Sequence, residues 1–76
     1  MFKFKQGETV TDKVTGFAGI IVARVDYISG CNRYLVQPRV GTDGKLPDSV
    51  YIDEPALDRL DVARVTLDVP ELAPPG

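Results

Sequence analysis

The sequence predicts a mainly β protein: five short strands curled into a small barrel, with one short helical turn before the last strand. Three observations carry this. Apolar residues recur with a period of two in several short runs. β-Branched residues dominate the longest of these runs, and glycine, proline and aspartate punctuate the gaps between them. The 76 residues have room for one domain, placed over 1–69, with a proline-rich tail over 70–76. A chain of this size buries only about 60% of its extended surface, so its core is thin and support from a disulfide, a metal or a partner is common.

In chain order, Met1–Gln6 alternates Phe2 and Phe4 with Lys3 and Lys5, the pattern of a short edge strand with rings on one side and lysines on the other. Gly7 and Glu8 turn the chain. A first core strand follows, with Val10 and Val14 expected inward between threonines and Lys13. Thr15-Gly16-Phe17-Ala18-Gly19 holds two glycines around an aromatic, which indicates a tight turn or bulge. No lysine-serine pair follows these glycines and a strand comes next, so they are not a phosphate-binding loop.

Ile20–Tyr27 is the central strand, and both of its faces are apolar: Ile20 and Val22 on one, Ile21, Ala23, Val25 and Tyr27 on the other. Two readings stand side by side. Either a second copy of the chain covers one face, or the strand lies at a bent corner where both faces meet one core. Ile28–Asn32 is a hairpin turn in which Gly30 and Asn32 are the residues suited to left-handed geometry. Arg33–Pro38 pairs back, with Tyr34 and Val36 on one face and Leu35 on the other; Pro38 ends the strand.

Arg39–Ser49 is a loop with a turn at Asp43-Gly44. Val50–Ile52 is a short strand, and Asp53-Glu54-Pro55 starts a single helical turn capped by Asp53 and ending near Leu60. Val62–Val69, with Val65, Leu67 and Val69 alternating, gives the last strand. Five strands, glycine corners and one helical turn before the final strand describe a small SH3-like barrel; an open five-stranded OB-type barrel is the alternative.

Cys31 is the only cysteine and there is no histidine, so neither an internal disulfide nor a Cys/His zinc site can form. The lone thiol fits a reducing compartment. No window approaches the roughly 18 apolar residues of a membrane span, and the opening MFKFKQGE has no signal-peptide core; a soluble, cytoplasmic protein is expected. The net charge of -2 is unevenly spread: residues 1–38 carry five cations and three acids, whereas residues 39–76 carry four cations and eight acids.

The stretch GETVTDKVTGFAGIIVARVDYISGCNRYLVQP, followed by SVYIDEPALDRL, resembles a group of small uncharacterised bacteriophage and prophage proteins. They share a G-[DE]-x-V opening, a V-T-G-F-x-G turn and a Y-x-x-G-C-N hairpin. The likeness covers Gly7 to Leu60 and implies action inside an infected bacterium; it carries over no site residue. The same glycines are more loosely similar to KOW and Tudor-like barrels, an analogy of fold alone.

Catalytic constellations do not assemble from these residues. Cys31 has no imidazole partner, and Asp53 and Glu54 are adjacent rather than convergent. No cofactor is expected. The expected role is a non-enzymatic module docking on a host or viral protein, in the sense of counteracting host defence, and forming a homo-oligomer. Lys13, Phe17, Arg24, Tyr27, Asn32, Arg33 and Tyr34 are the candidate ligand- or partner-binding residues. The alternative is an oligomer that sequesters a small anionic ligand such as a nucleotide, which these cations and rings would hold at a subunit interface. A KOW/Tudor-like nucleic-acid binder has stacking rings in its favour and the net acidity against it.

Overall fold

A computed structural model describes residues 2–67. Five antiparallel strands form one sheet: β1 (Thr9–Asp12), β2 (Ala18–Asp26), β3 (Asn32–Gln37), β4 (Val50–Asp53) and β5 (Leu57–Arg59), with a 3₁₀ turn at Glu54–Ala56 between the last two. The order across the sheet is β4-β3-β2-β1-β5, and the sheet is open rather than closed on itself. No helix among the described residues is long and apolar enough to cross a membrane.

The core lies on one face. Phe4, Val10, Ile21, Tyr34, Val36, Ile52 and Leu57 are buried, with Phe2, Phe17 and Ala56 packed against them. Alternation explains most of this set. Tyr34 and Val36 share the inner face of β3, and their partners across β4, Ile52 and Val50, share the inner face of that strand.

β2 departs from simple alternation. Its register with β3 runs Ile21↔Val36 and then Ala23↔Leu35, so Val22 is an extra residue in a bulge. The bulge reverses the phase. Ile21 faces the core, but Ala23 and Val25 pair with Leu35 and Arg33 on the outer face, and Arg24 is opposite the buried Tyr34. The expected sharing of one face by Ile21, Ala23 and Val25 is therefore corrected. A period of two cannot register a one-residue insertion.

Four further expectations change. Phe2–Gln6 forms no strand, although its two rings still reach the core. Val14 is 83% exposed because β1 ends at Asp12, where the Asp12 carboxylate accepts the Val14 amide and turns the chain. Among the described residues only glycines have positive φ, so the hairpin turns on Gly30 and Asn32 opens β3 in extended geometry. The last strand is Leu57–Arg59, since the 3₁₀ turn has only three residues and Leu57 goes straight into the core beside β1. The expected strand over Val62–Val69 is absent as far as residue 67; residues 68–69 and the expected tail over 70–76 lie outside the described residues.

The segment after β5 returns to the start of the chain instead. The Val65 amide donates to the Gly7 carbonyl at 2.8 Å, and the Gly7 amide donates to the Ile21 carbonyl at 2.8 Å. Gly7 has φ of +89°, and a Cβ there would lie 1.9 Å from the Val65 carbonyl oxygen. Gly44 has φ of +77° with open space around it. Both should dislike alanine by about 1–2 kcal/mol for the left-handed backbone alone. Gly7→Ala carries a backbone collision as well, so its urea midpoint should fall clearly below that of Gly44→Ala.

Candidate functional site

The best-ordered polar cluster surrounds Tyr34. Its ring is fully buried and meets Phe2 and Phe4 edge-on, with centroids at 5.8 and 5.4 Å. Its hydroxyl accepts the Lys3 and Phe4 amides at 3.1 and 3.2 Å and donates to the Glu54 carboxylate. The same carboxylate oxygen accepts the Lys3 amide at 3.0 Å and the Asn32 side-chain amide at 3.3 Å. The Tyr34 hydroxyl holds the Glu54 carboxyl below the ordinary glutamate range, with help from the Lys3 amide. Burial raises the Tyr34 phenol, and the hydrogen bond to Glu54 adds to that. This cluster ties the N-terminal segment, β3 and the 3₁₀ turn together.

The candidate residues are spread over the β1–β2 turn, β2 itself, where Arg24 is opposite Tyr34, and the β2–β3 hairpin. Lys13 and Phe17 lie at the β1–β2 turn. Tyr27, Asn32, Arg33 and Tyr34 lie in or beside the β2–β3 hairpin, while the Lys13 amide donates to the Ala56 carbonyl at 2.8 Å and Phe17 packs against the core that includes Tyr34. Arg33 sits 5.4 Å from the Tyr27 ring centroid and pairs with Asp53 at 2.6 Å. That pairing leaves Asp53 with no side-chain cap on the 3₁₀ turn, contrary to expectation. Arg24 stacks 4.7 Å over the Phe2 ring and donates to the Phe4 carbonyl at 3.4 Å. Cys31 is exposed at the hairpin tip. The seven residues form no single pocket; several of them hold the sheet together.

Two surfaces lay outside the reach of sequence reasoning. On the outer face, Ala23, Leu35 and Tyr51 pair directly across three strands with Val25 beside them, and Val22 is in the bulge next to Ala23. Tyr51 is 54% exposed and Val22 is 48% exposed. The alternation in β3 set Leu35 on the face opposite Tyr34 and Val36, but the bulge that brings Ala23 beside it left no trace in the sequence. Elsewhere Lys3, Lys5, Arg59 and Arg64 line one hollow with Glu8 and Asp61. Glu8 accepts the Lys5 amide and pairs with Arg59 at 3.3 Å. These cations come from opposite ends of the chain, so no local pattern announces them.

Among the described residues no group of histidine, cysteine, aspartate and glutamate side chains is arranged to hold a metal ion. Compared with models of protein families, with curated proteins and with solved structures, the chain matches none.

A group whose folded pKa is depressed contributes stability above its unfolded pKa and loses it as pH falls through the folded value. Glu54 is such a group. Melting temperature should therefore decline as pH is lowered below about 4.3, the ordinary glutamate value. Glu54→Gln should start from a lower melting temperature at pH 7 and show a shallower acid slope, measured by circular dichroism.

Proposed function

We propose that this protein is a non-enzymatic, phage-type binding module that self-associates through its outer sheet face and docks on a host or viral protein, acting against host defence. One observation carries the reading: the outer row Ala23–Leu35–Tyr51, with Val25 beside it and Val22 in the bulge next to Ala23, is an apolar strip on a domain with little core to spare. Contiguous exposed apolar surface of this kind marks interaction sites on small soluble domains. The polar groups support the same reading. Tyr34, Glu54, Arg33 and Asp12 are each engaged in contacts that hold backbone or neighbouring strands, which is architectural work.

The strand order and the 3₁₀ turn between β4 and β5 support describing the sheet as an SH3-like barrel left open along one side. Placement of the protein in the cytoplasm of an infected bacterium rests on the sequence resemblance alone. Sedimentation equilibrium at tens of micromolar should give a mass above that of the 8.3 kDa chain. The double variant Val22→Lys, Tyr51→Ser should return it to the monomer mass with an unchanged far-ultraviolet spectrum. A monomer at every concentration would remove the basis for self-association.

A second reading, capture of a small anion such as a nucleotide, is favoured by one observation: four cations face two acids in the hollow formed by Lys3, Lys5, Arg59 and Arg64. A ligand bound to the folded state raises the melting temperature, by an amount set by its concentration relative to Kd. On this reading a nucleotide panel should contain at least one stabilising member, and Arg64→Ala should abolish that shift. A panel with no stabilising member leaves docking on a protein as the sole reading.

A further inference from the structure

β4 is an edge of the open sheet: β3 is the only described strand it pairs with. An unpaired strand edge presents a row of backbone donors and acceptors and accepts an added strand readily. Natural edges are commonly protected by lysine, proline or a bulge. β4 (Val50-Tyr51-Ile52-Asp53) has none of these within its span.

A groove lies against this edge. Asp12, Thr15, Gly16 and Phe17 of the β1–β2 turn face Val50 and Ile52 across an opening of about 490 Å³. Val50 and Ile52 are on the inner face of β4, opposite Val36 and Tyr34, so the groove floor continues the core out to the surface. Tyr51 and Asp53 take the outer face, opposite Leu35 and Arg33. A strand added beside β4 would thus alternate between two environments. Its inward side chains would meet Phe17, Val50 and Ile52, and its outward ones would meet Tyr51 and Asp53.

Charge selects the outward partners. Asp48 precedes β4 by two residues and Asp53 ends it, the latter pairing with Arg33 at 2.6 Å, so these two acids are matched by one cation. Asp12 adds a carboxylate at the groove rim, held below the ordinary aspartate range chiefly by the Val14 amide. The same acids make a second copy of β4 a poor occupant, since antiparallel self-pairing would bring Asp48 and Asp53 of two chains together. We infer that the β4 edge and the groove beside it take an extended segment of a partner protein in which small apolar residues alternate with lysine or arginine, added as a sixth strand. This site shares Tyr51 with the outer-face strip but uses the backbone edge of β4, and it rests on reading the chain as a module that docks on proteins.

The probe is the peptide Ac-KVKVKVK-NH2, titrated into the full chain labelled with nitrogen-15. Saturable amide shifts should concentrate at Val50–Asp53 and Phe17. The acidic counterpart Ac-EVEVEVE-NH2 should bind at least tenfold more weakly, and Asp53→Lys should weaken the basic peptide severalfold while leaving the spectrum folded. Successive amides of a strand point to opposite sides. N-methylation of the valines and N-methylation of the lysines should therefore differ, one abolishing binding and the other sparing it. Equal binding of both charge types, equal effects of both N-methylated forms, or no saturable shift would overturn the inference. Shifts confined to Val22, Val25 and Leu35 would overturn it too, while leaving the outer face as a docking surface; the mass measurement judges that surface independently.

Discussion

The hydroxyl of Tyr34 is the constraint on which the rest of this small structure depends. A fully buried phenol must satisfy its oxygen inside the protein, and this one does so with two backbone amides and one carboxylate. Each partner belongs to a segment that would otherwise have little reason to stay. Lys3 and Phe4 have no strand to hold them, and the 3₁₀ turn that carries Glu54 is only three residues long. Once Glu54 is fixed, Leu57 enters the core beside β1 and the sheet gains its fifth strand. Phe2 and Phe4 close over the Tyr34 ring, and Arg24 closes over Phe2.

Much of the sheet was legible in the sequence because a half-buried strand writes its own pattern. Val10, Tyr34, Val36 and Ile52 all take the places that alternation and β propensity assign them. The failures have a common physical origin: each required knowledge of a contact remote in sequence. Val14 continues the alternation of β1, but the Asp12 side chain turns the chain first. Val65 and Leu67 alternate as a strand would, yet Arg64 and Val65 bond singly to Gln6 and Gly7 instead of joining a ladder. Arg24, a candidate binding residue, stacks over the Phe2 ring, a contact between residues 22 apart in sequence. The hollow lined by Lys3 and Arg64 exists only because residues 3–8 and 59–64 meet.

Polar residues with the strongest interactions hold strands and turns together, while Val22 and Tyr51 remain about half exposed. The bulge at Val22 matters here, since it moves Ala23 and Val25 from the core side to the outer side and creates a strip that simple pairing would have buried. With β5 drawn across to β1, no described strand closes the β4 side.

Amide hydrogen exchange at Lys3 and Phe4 tests the central claim most directly. Neither residue belongs to a strand, so protection there reports the Tyr34 cluster and little else. The account predicts slow exchange at both amides in the native protein, with Tyr34→Phe accelerating them while the amides shared by β2 and β3 keep their protection. Exchange at the rate of an unstructured chain in the native protein would contradict it.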